Sequence, residues 1–141
     1  MGKQETYRIV IPSQTDRLHD VRKFISDLAR QHGFQDDDIN KITIAVDEAC
    51  TNIIKHAYKY SPEGNIFIST KYDSHNFIVS ITDEGKHFDP SQVPEPDLLQ
   101  YQGQKRAGGL GMFLMKKLMD EVKYSTLTGN KNQVVLVKYI S

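Results

Sequence analysis

The pattern of apolar and polar positions divides the chain into short elements with two alternating periods. TYRIVI at 6–11 reads as a strand that ends at Pro12-Ser13. From about Asp16 to His32, Leu18, Val21, Ile25, Leu28 and Ala29 recur at helical spacing, and Gly33 marks a stop. The acidic run Asp36-Asp37-Asp38 suits a helix N-terminus, where carboxylates complement exposed N–H groups. Ile39, Ile42, Val46, Ala49, Ile53 and Ala57 then line one face of a second helix, closed by Tyr60-Ser61-Pro62-Glu63-Gly64. Alternation returns at 65–72 (Ile66, Ile68, Thr70, Tyr72) and at 76–83 (Phe77, Val79, Ile81, Asp83), with Asp73-Ser74-His75-Asn76 as a hairpin turn.

Residues 84 to about 107 contain Pro90, Pro94, Pro96 and Gly103 and hold no period. A connection of that length is functional or disordered. A third helix is predicted from about Gly109 to Asp120, and strands at 122–128 and 133–140 close a hairpin around Thr128-Gly129-Asn130. The order β-α-α-β-β-loop-α-β-β predicts an α+β fold. It is a two-layer sandwich with a mostly antiparallel sheet and helices on one face.

Composition narrows the function. With 141 residues, 38% hydrophobic and 26% charged, the chain reads as one globular domain over 1–141. Lys+Arg and Asp+Glu are both 18, which gives no basic footprint for nucleic acid and no polybasic membrane surface. No apolar run reaches the ~20 residues of a membrane span. The single cysteine, Cys50, permits no internal disulfide or Cys-based metal site and points to a reducing, cytoplasmic compartment. The N-terminus has no signal-peptide core, although MGKQET fits the loose myristoylation pattern.

Three clusters carry candidate chemistry. Glu48 and Asn52 lie one helical turn apart at the flank of the apolar stripe, a carboxylate above a carboxamide. One can take a proton and the other can ligate a hard cation, although a solvated helix face explains the pair better when it is read by itself. Asp83 ends an apolar strand on its inward side, where a carboxylate needs a hydrogen-bond partner such as an amino group of a ligand. Gly85 lets the chain turn sharply or approach a ligand closely. Finally, Lys105-Arg106-Ala107-Gly108-Gly109-Leu110-Gly111 opens an apolar helix with glycines. Bare N–H groups and the helix dipole there favour phosphate, with Arg106 and Lys105 adding charge. The segment is neither a Walker A loop nor a dinucleotide fingerprint.

As an ordered set, Glu48-Ala49-x-x-Asn52, Asp83-x-Gly85-x-x-Phe88-Asp89-Pro90 and Gly108-Gly109-Leu110-Gly111 resemble the N-box and glycine boxes of the GHKL (Bergerat-fold) ATPase superfamily. The short length, Asn52-x-x-Lys55-His56-Ala57-Tyr58 and the Gly109-Leu110-Gly111-Met112-Phe113-Leu114 helix look most like its anti-sigma-factor serine kinases, the RsbW-like group. The resemblance covers nearly the whole chain.

It implies ATP and Mg²⁺ as cofactors, with Asn52 as the metal ligand and Glu48 as the general base toward a serine hydroxyl. Asp83 would meet the adenine amine and Gly85 would give the ring room. Lys55, Phe88, Arg106, Gly108, Gly109, Leu110 and Gly111 would complete the nucleotide site, and 89–107 would form a mobile lid. It also implies a sigma factor and an anti-sigma antagonist as partners, and a homodimer.

One departure concerns the last hairpin. Many superfamily members carry Gly-Thr there, the Thr assisting adenine. Here the stretch reads Thr128-Gly129-Asn130-Lys131-Asn132-Gln133, which leaves that contact open. Two other readings stand beside the kinase. In one, an ATP-gated binding module or switch subunit has no kinase activity. In the other, a subunit hydrolyses ATP and Glu48 activates water.

Overall fold

The computed structural model describes residues 5–87 and 115–140. Strand β1 (Glu5–Pro12) leads through a 3-10 turn (Thr15–Arg17) into α1 (Leu18–Gln31) and then α2 (Asp36–Asn52). A π-helical turn (Ile53–Ala57) continues α2 before β2 (Asn65–Tyr72) and β3 (Asn76–Asp83). Residues 115–118 are helical, and β4 (Glu121–Leu127) and β5 (Lys131–Tyr139) complete the described chain.

The five strands form one sheet in the order β1-β2-β3-β5-β4, and every pairing is antiparallel. Inward residues alternate as the sequence predicts. Ile66 and Ile68 on β2, Phe77, Val79 and Ile81 on β3, and Val134 and Leu136 on β5 are all buried. They meet Val21, Ile25 and Leu28 of α1 and Ile39, Ile42, Val46 and Ala49 of α2 in one hydrophobic cluster. Burying each such side chain is worth roughly 1.5–3 kcal/mol, so the shared apolar face decides the layer arrangement. The result is the α+β two-layer sandwich expected.

Local chemistry sets the element ends. Gly33 has φ 87°. The Gly33 N–H donates to Arg30 O and the Phe34 N–H to Ala29 O, which closes α1 in a Schellman motif. Asp73 Oδ1 accepts the N–H groups of His75 and Asn76, both at 2.8 Å, and so fixes the β2–β3 turn. The predicted third helix is seen from 115 and ends at 118, just short of Asp120; its earlier part lies outside the described residues.

The second helix differs from simple expectation at its end. The Tyr58 N–H reaches back five residues to Ile53 O at 3.0 Å, and Lys59 and Tyr60 then adopt φ 50° and 65°. A wide turn of this kind recurs at functional sites in helices, and it follows Asn52 directly.

Candidate functional site

The helix end and the β3 turn are locked together. The Lys86 N–H donates to Ala57 O at 2.7 Å. The Tyr58 hydroxyl accepts the Glu84 N–H at 2.8 Å and donates to Asn65 O at 2.6 Å. Two glycines make this approach possible. A Cβ on Gly64 would fall 2.3 Å from the Tyr58 ring, and one on Gly85 would fall 2.6 Å from Ala57 O. The room that Gly85 leaves is therefore taken up by Ala57.

Beside this junction lies a cavity of about 330 Å³. Its lining includes Ala49, Asn52 and Ile53 from the helix, Asp83 and His87 from β3 and its turn, and Tyr124, Thr126 and Asn132 from the last hairpin. Asn52 and Asp83, 31 positions apart in sequence, thus face one volume, and both are buried, at 3% and 2% exposure. Asn52 is more deeply placed than a helix-flank position implies.

Asp83 is held by its neighbours. Its Oδ1 accepts the Gly85 N–H at 2.9 Å and the Asn132 Nδ2–H at 3.1 Å. Burial pushes its carboxyl above the usual range, and the hydrogen bonds from Asn132 and Gly85 pull it back. Asn132 is a residue that the sequence motifs did not single out. Its signal is register: it pairs with Asp83 across β3–β5, two positions before inward Val134. Asp83 thus has a side-chain partner from the last hairpin.

Glu48 stands one turn before Asn52 and is half-buried. It is not among the residues that line the described cavity. Burial raises its carboxyl above the ordinary value, Asp47 raises it further, and Lys55 opposes both. Asp47 is itself engaged by Arg22 of α1, with Nε to Oδ1 at 2.7 Å. Lys55 sits in the π turn at intermediate exposure, outside the described lining. Burial, Lys55 and Lys59 hold His56 below its ordinary value, which favours the neutral ring of a packing histidine. Cys50 is buried and its thiol is pushed up by burial, so it is chemically quiet.

Phe88, Arg106, Gly108, Gly109, Leu110 and Gly111 lie outside the described residues, as does the 89–107 segment. Among the described residues no cluster of three or more His, Cys, Asp or Glu could hold a metal by itself. That donor set still fits Mg²⁺ carried by a polyphosphate. The ion keeps several waters and takes substrate oxygens plus one or two protein ligands, and the buried Asn52 carboxamide lining the cavity is suited to be one. Among the described residues no helix is long and apolar enough to cross a membrane.

Comparison with known proteins bears on the fold and the family. A family profile described as a histidine kinase-like ATPase domain matches residues 11–138. The serine-protein kinase RsbW of Bacillus subtilis is 35% identical over 136 residues, spanning 93% of this chain and 83% of that one. The serine-protein kinase RsbW of Listeria monocytogenes is 33% identical over 135 residues, spanning 93% and 85%. Among solved structures, the RsbU and RsbW domains of a Mycobacterium tuberculosis protein superpose with a TM-score of 0.68 at 17% identity, covering 95% of this chain and 32% of that one. The SiaB–SiaC complex from Pseudomonas aeruginosa gives 0.62 at 13% identity, covering 95% and 88%. At those identities the solved structures speak for the fold alone.

Proposed function

Because the chain belongs to the histidine kinase-like ATPase family, within its RsbW-type serine-protein kinases, we propose that it is an ATP-dependent protein serine kinase acting as an anti-sigma factor. It binds a sigma factor and phosphorylates a serine of an anti-sigma antagonist, so that phosphorylation decides which partner it holds. The observation that supports the reading most is the convergence of buried Asn52 and buried Asp83 on one cavity.

In this reading Asp83 accepts a hydrogen bond from the adenine amine, at the end of the cavity where Asn132 steadies it. Asn52 contributes its amide oxygen to the nucleotide-borne Mg²⁺, which neutralises phosphate charge. Arg106 and the glycines Gly108, Gly109 and Gly111, with Leu110 next in sequence to two of them, serve the phosphates, and Lys55 and Phe88 contribute to nucleotide binding. Glu48 receives the serine proton. Its raised carboxyl suits that task, because a base works best when its proton affinity is not far below the operating pH. Phosphoryl transfer asks little more of a protein than positioning and charge neutralisation.

A homodimer and a cytoplasmic location belong to the same proposal. Light scattering on the purified protein checks the first. The decisive assay is transfer of labelled phosphate from ATP to a serine on a candidate antagonist. Transfer that survives Glu48→Ala unchanged removes the base assignment. ATP binding with no transfer to any partner supports a nucleotide-gated binding module instead.

A further inference from the structure

The base end of the cavity holds a hydrogen-bond chain that fixes its own polarity. The Asn132 Nδ2 group donates to Asp83 Oδ1 and to Gly85 O, each at 3.1 Å. Both partners are acceptors, so this end of the amide is the NH₂ group and the other end is its carbonyl oxygen. That oxygen lies 3.1 Å from His87 Nδ1, which therefore carries a proton and donates it. Thr126 Oγ1 is 3.5 Å from the same ring nitrogen. Asp83, His87, Thr126 and Asn132 all line the cavity.

Asp83 Oδ1 is thus filled by two donors from different segments, the turn after β3 and strand β5. The carboxylate cannot rotate without breaking both bonds. Its Oδ2 takes neither of them. An ionised carboxylate only accepts, so this oxygen calls for a donor from whatever occupies the cavity. Asn132 also favours the ionised form, because its hydrogen bond opposes the upward push of burial.

We propose that Asn132, held by His87, is a positioning residue that sets the base preference of the site. It fixes Asp83 with one oxygen toward the cavity and so favours a purine bearing an exocyclic amine over one bearing a carbonyl at that place. The inference rests on the nucleotide reading above and deepens it. A carbonyl in that position sets lone pairs against a carboxylate oxygen and leaves both unpaired, the circumstance in which a polar site discriminates most strongly.

The test is equilibrium binding of ATP and inosine triphosphate to the full chain. The two probes share the triphosphate and differ at one base edge, where the exocyclic amine beside an acceptor N1 becomes a carbonyl beside an N1–H donor. Wild type prefers ATP. Asn132→Ala weakens ATP about tenfold and changes inosine triphosphate by less than about threefold, so the preference collapses. His87→Ala, at an exposed position where a substitution is expected to leave folding intact, moves the ratio in the same direction by a smaller factor and decides the matter if Asn132→Ala does not fold. A merely structural asparagine would weaken both nucleotides alike. An ATP-to-inosine ratio that stays at the wild-type value in the folded variants overturns the proposal. Wild-type protein that binds neither nucleotide overturns the underlying nucleotide reading instead.

Discussion

Gly85 approaches Ala57 so closely that a side-chain carbon on it would lie 2.6 Å from the Ala57 carbonyl oxygen. The obstruction is backbone, which cannot swing aside as a side chain can. Gly85→Ala is therefore expected to lower stability by about 1–3 kcal/mol, the usual cost of overpacking. It should also weaken ATP binding, because the Gly85 N–H that holds Asp83 shifts with the backbone. Urea unfolding and nucleotide titration of the same variant check both.

Tyr58 ties the same junction from the other side. Its hydroxyl bonds the Glu84 N–H and the Asn65 carbonyl at once. Tyr58→Phe keeps the ring against Gly64 and removes only these two bonds. A loss of about 1–3 kcal/mol in unfolding free energy is expected, with the ring's packing unchanged. A loss near zero would show that water replaces the hydroxyl at no cost.

Much of this fold is legible in the sequence because each strand has one buried face. The alternation in 65–72 and 76–83 runs to the observed ends of β2 and β3, and the five predicted positions of α1 are all buried. Asp83 was legible as a polar residue closing an apolar row. Other features were not. A π turn differs from an α turn by less than one residue per turn, and five residues are too few to show it; what accompanies it here is contact with Lys86, Tyr58 and Gly85. Asn132 carries no motif. Its role depends on strand register, which becomes readable only once β3 and β5 are paired. Glu48 and Asn52, equal partners by spacing, separate in space: only Asn52 reaches the described cavity.

Asp83→Asn keeps an acceptor at Oδ1 and turns the open oxygen into an NH₂ donor. ATP affinity should fall about 100-fold, the scale of a lost hydrogen bond to a charged group. Stability should move the other way. A carboxyl raised in the folded state contributes stability below its unfolded value and loses it as pH rises through the folded value. At neutral pH the ionised Asp83 is thus a cost to the empty protein. Asparagine removes it, so the melting temperature of the nucleotide-free variant should not drop, as thermal scans at neutral pH can show.

Glu48 obeys the same linkage, with a catalytic consequence. Its carboxyl is raised by burial first and by Asp47 second, while Lys55 pulls it down. A general base must be ionised, so kinase activity should rise with pH along an acidic limb placed above the ordinary carboxylate range. Asp47→Asn removes one raising charge and should shift that limb to lower pH. It also breaks the Arg22 pair, a partly exposed contact worth about 1 kcal/mol or less. Glu48→Gln should abolish the limb and reduce transfer at least about 100-fold, the lower end of general-base contributions. ATP binding should survive, because Asn52 and Asp83 are untouched. Stability at neutral pH should hold or rise, since an ionised, half-buried carboxylate has been removed. A pH–rate profile of the three proteins separates the outcomes: a limb that stays in place in Asp47→Asn would show that the titrating group is not Glu48.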